Sequence, residues 1–159
     1  MIRGFLVQPF LVSGASMAPN FEDGDYLLVD ELTYRVRSPA RGEVVVFRYP
    51  NDESTFFIKR IVGLPGERVV VKGGDVKIIN KASPDGFSLD EKYLEGSVLT
   101  SGSYDVKLGE KEYFLLGDNR SYSFDSRSWG PLFHDEIVGL VRLRLWPPAS
   151  ATVFAAPEY

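Results

Sequence analysis

Glu43-Val-Val-Val-Phe-Arg-Tyr49 and Phe56-Phe-Ile-Lys-Arg-Ile-Val62 decide how this chain folds. Both runs are short, rich in β-branched and aromatic residues and bounded by turn residues, which is the composition of strands. In the second run, alternation places Phe57, Lys59 and Ile61 on one face and Phe56, Ile58, Arg60 and Val62 on the other. Outward from this pair, the same pattern recurs in Tyr26-Leu-Leu-Val29, Arg68-Val-Val-Val71, Val76-Lys-Ile-Ile79, Tyr113-Phe-Leu-Leu116 and Ile137-Val-Gly-Leu-Val-Arg-Leu-Arg-Leu-Trp146. Lys72-Gly73-Gly74-Asp75 joins two of these runs as a tight hairpin. Helical periodicity is hard to find, and no internal repeat is visible. The expected fold is all-β, with mostly antiparallel sheets in a sandwich or barrel-like core.

Apolar runs give way to Ser, Gly, Asp and Lys between Asn80 and Gly109. The expected organisation is therefore a catalytic β core over 1–79 and 110–148, a less regular insertion or second lobe over 80–109, and a flexible tail over 149–159. A chain of 159 residues suffices for one compact domain. A net charge of -4 and a pI near 5.1 give no electrostatic case for nucleic acid. Cysteine is absent, which excludes disulfides, thiol nucleophiles and thiolate metal sites. The single histidine, His134, reads as a solvated turn residue or, alternatively, as the base of a Ser-His-Asp triad. Met1 to Val12 is apolar but interrupted by Arg3, Gln8 and Pro9, too short to span a bilayer and without a cleavage site of small residues. It reads either as a first strand or as the stub that follows a membrane anchor.

Two further stretches concentrate chemistry. Gly117-Asp-Asn-Arg-Ser-Tyr-Ser-Phe-Asp-Ser-Arg-Ser-Trp-Gly130 holds two Asp, two Arg, one Asn and four Ser between two glycines. It reads as a structural turn tied by Arg-carboxylate contacts or as part of a site. Val12-Ser-Gly-Ala-Ser-Met-Ala-Pro-Asn20 places Ser13 and Ser16 beside a conformationally free Gly14 and a stiffening Pro19. Both serines suit a plain turn, and either suits a presented nucleophile. Such a nucleophile needs a base. Lys59 stands apart from the six lysines in polar surroundings, because apolar neighbours desolvate its ammonium and favour the neutral amine. A lysine snorkelling from a sheet edge fits the same pattern.

Ser16-Met-Ala-Pro19 with Gly24-Asp25, then Arg41-Gly-Glu-Val-Val-Val-Phe47, then Ile58-Lys-Arg-Ile-Val-Gly-Leu-Pro-Gly66, then Gly117-Asp-Asn-Arg120 with Ser123, Asp125-Ser-Arg127 and Trp129-Gly130 closely resemble the bacterial type I signal peptidases. These are membrane-anchored serine proteases with a Ser/Lys dyad. The resemblance implies Ser16 as nucleophile and Lys59 as general base, with no metal or cofactor. It implies that Ser123 orients the amine, that Asp125 and Arg127 form a supporting ion pair, and that Phe10, Val12, Met17 and Ile58 line the substrate pockets. It further implies signal-peptide-bearing preproteins as substrates, cut after Ala-X-Ala-like sites, a membrane lipid surface as a partner, and an extracytoplasmic location at the plasma membrane. Three departures stand out: Asn20 where the family often has Thr, Gly14 where some members place a Ser donor to the oxyanion hole, and no preceding membrane span. With Gly14, the hole rests on the Ser16 amide and whatever Gly14 or a neighbour adds. Two other readings share parts of the pattern: a self-cleaving repressor-type Ser/Lys protease domain, which would carry its own scissile loop upstream, and an inactive β-fold binding module. Ala149-Ser-Ala151 in the tail has the spacing of a cleavage site.

Overall fold

The computed structural model describes residues 7–94, 98–148 and 151–154. Among these residues twelve strands follow in order: β1 (Val7–Leu11), β2 (Tyr26–Asp30), β3 (Val44–Tyr49), β4 (Asp52–Gly63), β5 (Arg68–Lys72), β6 (Asp75–Ile79), β7 (Phe87–Ser88), β8 (Tyr104–Lys107), β9 (Glu112–Leu116), β10 (Leu132–Phe133), β11 (Ile137–Trp146) and β12 (Thr152–Val153). Two one-turn helices, α1 (Thr33–Val36) and α2 (Ser126–Trp129), interrupt them. Every named strand pair is antiparallel. The all-β expectation holds, and the sheets are open: the large one runs β1-β2-β11-β3-β4-β9-β10, with β12 on β11, and the small one runs β7-β6-β5-β8.

The first two runs quoted above pair as β3 and β4, with Val45 opposite Lys59 and Val46 opposite Ile58. Their alternation separates two cores. Phe57 and Ile61 join Val45, Phe47, Leu115 and Leu132, whereas Ile58 joins Val44, Val46, Met17, Phe21 and Val29. Burying such side chains contributes on the order of 2 kcal/mol each, which fixes the β3–β4 register against a one-residue slip.

A third core lies between the small sheet and the far ends of β4 and β9, built from Val62, Val69, Val71, Val76, Ile78, Leu108, Phe114 and Leu116. The hairpin Arg68 to Ile79, expected within the catalytic core, pairs with β7 and β8, so the small sheet starts ahead of residue 80 and includes Tyr104 to Lys107. Gly73 and Gly74 both have positive φ, the geometry that a two-residue turn of matching twist requires. Within the expected tail, Thr152 and Val153 pair with β11, and Phe154 packs on Phe21, so these residues are tied down. Ala149 and Ser150 of the candidate cleavage motif lie outside the described residues. Of the two readings of the N-terminal segment, the described part is a strand: β1 pairs with β2 from Val7 to Leu11.

Candidate active site

Ser16 sits on the turn that follows β1. Gly14 gives that turn a φ of +92°, and its amide donates to Asp23 Oδ1 at 2.8 Å. Downstream, the turn is held by the Gly117 to Gly130 stretch. Asn119 donates from its backbone to the Ser16 carbonyl and from its side chain to the Ala15 carbonyl, both at 2.9 Å, while the Asp118 amide meets Met17 Sδ at 3.3 Å. Fixed in this way, the Ser16 hydroxyl accepts a 2.8 Å hydrogen bond from Lys59 Nζ, although 43 residues separate the two in sequence.

Lys59 is 3% exposed. Burial lowers its pKa from 10.5 to about 8, and the Asp125 carboxylate acts in the opposite direction. The Phe57 ring also lies 5.1 Å from Nζ and favours the ammonium. Desolvation wins, leaving an amine near the midpoint of its titration at slightly alkaline pH. Asp125 is itself fully buried and makes a two-pronged pair with Arg127, Nε to Oδ1 and Nη2 to Oδ2, each 2.9 Å. Its Oδ2 also accepts from the Gly117 amide at 3.0 Å, so the pair anchors the backbone beneath the serine. Space there is tight: a Cβ on Gly117 would fall 2.0 Å from Ser123 Oγ and 2.6 Å from the Ser16 carbonyl.

A cleft of about 320 Å³ opens beside the Ser16–Lys59 contact, lined by Phe10, Val12, Ile58, Phe57 and Phe124 among others. Phe10, Val12 and Ile58, implied by the resemblance as pocket residues, are among the residues lining this cleft. Met17 does not: it is 1% exposed and belongs to the core with Phe21 and Val29, because the turn that presents Ser16 outward directs the next side chain inward. Ser123 Oγ is buried and has no hydrogen-bond partner among the described residues, so the expected bond to the Lys59 amine is not formed. The Gly14 amide is occupied by Asp23 and is not free to donate to an oxyanion, whereas the Ser16 amide has no partner among the described residues. Asn20 makes the polar contact that its departure from Thr put in question, donating to Asp118 Oδ2 at 2.8 Å and to the Tyr93 carbonyl at 2.7 Å. His134 lines a different cavity with Lys111 and Tyr113 and takes no part in this cleft.

Sequence reasoning missed the supporting roles of Asn119 and Asp118, and the aromatic wall formed by Phe57 and Phe124 near Tyr49 and Trp129. The density of hydrogen-bonding groups after Gly117 was the available signal for the first two.

Fold and site together are an open antiparallel scaffold that brings a buried lysine amine onto a serine hydroxyl. Among solved structures, a signal peptidase I from Enterococcus faecalis is similar, with a TM-score of 0.54 and 26% identity over 66% of this chain and 97% of that one. Residues 1–146 match the family described as "Signal peptidase, peptidase S26", and the chain belongs to that family. A probable signal peptidase I-2 of Synechocystis is 36% identical over 92% of this chain and 66% of its own length. The signal peptidase I of Pseudomonas fluorescens is 35% identical over 89% of this chain and 62% of its own, and signal peptidase IB of Staphylococcus aureus 32% identical over 92% and 82%. The chain thus spans just under two thirds of the first two relatives.

Proposed function

We propose that this chain is the catalytic domain of a serine endopeptidase that removes signal peptides from secreted preproteins after Ala-X-Ala-like sites. The observation that carries the reading is the 2.8 Å contact between Lys59 Nζ and Ser16 Oγ inside an apolar cleft. Once Lys59 is neutral, the direction of that hydrogen bond reverses. The amine then takes the hydroxyl proton as the serine oxygen attacks the scissile carbonyl. The Ser16 amide is placed to stabilise the oxyanion. The protonated amine returns its proton to the leaving nitrogen, and the neutral amine then activates water to release the acyl group.

Among the described residues β1 is an edge strand with β2 on one side only, so an extended peptide can add to it and drop alternate side chains into the cleft. Small P1 and P3 residues suit a cleft narrowed by Phe10, Val12 and Ile58. Leu11, Phe56, Tyr122 and Phe124 are exposed around the same opening, an apolar rim that suits work at the outer face of the plasma membrane. No helix among the described residues is long and apolar enough to cross a bilayer.

In a preprotein cleavage assay, Ser16→Ala and Lys59→Ala each abolish product formation while circular dichroism remains that of the parent. Retention of most of the activity in Lys59→Ala would sink the dyad.

A further inference from the structure

Alternation along β4 sends two neighbouring cations to opposite sides, Lys59 into the cleft and Arg60 behind the nucleophile turn. Arg60 holds Asp118 through Nε and Nη2 at 2.9 and 2.7 Å and donates from Nη1 to the Gly42 carbonyl at 2.8 Å. The Tyr93 ring lies over its guanidinium carbon at 3.9 Å. Asp118 also accepts from Asn20, four residues beyond Ser16, and the same Asn20 amide donates to the Tyr93 carbonyl. The Tyr93 hydroxyl donates to Glu91 Oε1 at 3.1 Å, which accepts from Arg120 Nη2 at 2.6 Å. Arg120 donates in turn to the Gly117 carbonyl at 2.9 Å and to Thr100 at 2.6 Å. One short segment beyond β7 therefore holds both the turn that carries Ser16 and the glycine packed beneath it.

We propose that Tyr93 is a positioning residue for the reaction: its ring covers the Arg60–Asp118 pair and its carbonyl, with Asp118, fixes Asn20, so that the Ser16 hydroxyl stays on the Lys59 amine. The inference rests on the Ser16/Lys59 reading. A buried ion pair holds its geometry only while it is complete and dry, and the flat ring keeps water off the open face of the guanidinium. Tyr93 does not line the substrate cleft. Its loss therefore acts on the chemical step and leaves substrate binding alone.

The test uses the whole chain and a preprotein with an Ala-X-Ala site. Tyr93→Ala lowers kcat roughly 10- to 100-fold at unchanged KM, the scale of a misplaced reacting group. Tyr93→Phe, which keeps the ring, restores parental kcat. Asn20→Ala lowers kcat as well, and the double variant with Tyr93→Ala loses less than the product of the two single losses. Parental kcat in Tyr93→Ala, a loss shared with KM, failure of Tyr93→Phe to rescue, or multiplicative losses would each overturn the proposal. If Tyr93→Ala does not fold by circular dichroism, Asn20→Ala decides alone: a lowered kcat at constant KM supports the clamp, and parental kcat refutes it. Failure of the underlying reading shows separately, as persisting cleavage by Ser16→Ala.

Discussion

Lys59 joins stability and, in the proposed mechanism, activity in one side chain. Its folded pKa of about 8 lies below the ordinary 10.5, a gap equivalent to roughly 3 kcal/mol. Between those two values the unfolded chain binds the proton and the folded chain does not, so stability rises with pH across that window, and below it the full penalty applies. Lys59→Met therefore stabilises the protein by roughly 1–3 kcal/mol at pH 7 in urea denaturation, and the gain shrinks as pH climbs towards 10.5; an equal or lower midpoint at pH 7 contradicts this. In the proposed mechanism the same titration sets the rate, since only the neutral amine accepts the serine proton. kcat/KM rises with pH along a limb centred near 8, and a flat profile between pH 6 and 9 rules out this base. At this scale the sequence was legible where chemistry demands an unusual neighbour, as with a lysine among Phe57, Ile58 and Ile61. It was not legible for Ser123 or Met17, whose surroundings come from distant segments and depend on how one turn is rotated.

Elements were readable in proportion to their hydrophobic pattern. Strands β3, β4, β9 and β11 fall on their apolar runs, because burial of their side chains leaves one register favourable. The two-residue strands β7, β10 and β12 carry too few side chains to write a period. The hairpin β5–β6 was legible but its sheet was not, since alternation shows that a strand has a buried face without naming the layer that covers it. The joint between the layers is Gly63 at the end of β4, where an added Cβ would lie 2.6 Å from Val69 and 2.9 Å from Leu108 and Phe114 side chains. Gly63→Ala is expected to lose about 1–3 kcal/mol to overpacking, read as a lower urea midpoint with unchanged slope. An unaltered midpoint means that the small sheet shifts without cost.

Over the whole molecule, charge and apolar surface act separately. A net charge of -4 offers anionic lipid no attraction, whereas the cleft rim exposes Leu11, Phe56, Tyr122 and Phe124, with Trp146 and Val153 exposed on paired strands nearby in the same sheet. Binding to neutral phosphatidylcholine vesicles should therefore be weak, nearly independent of salt and reduced by Leu11→Ser combined with Phe124→Ser, measured by flotation. Strong salt dependence, or no effect of the double change, contradicts an apolar attachment. The adjacency of Lys59 and Arg60 on β4 has a consequence for biogenesis. Were that strand to slip by one position during folding, a guanidinium, which cannot serve as a proton acceptor near neutrality, would face the serine in place of the amine. The bulges that interrupt pairing at Arg48/Tyr49 and Ile61/Gly63 flank this stretch on both sides, and a shift by one residue would have to displace both of them.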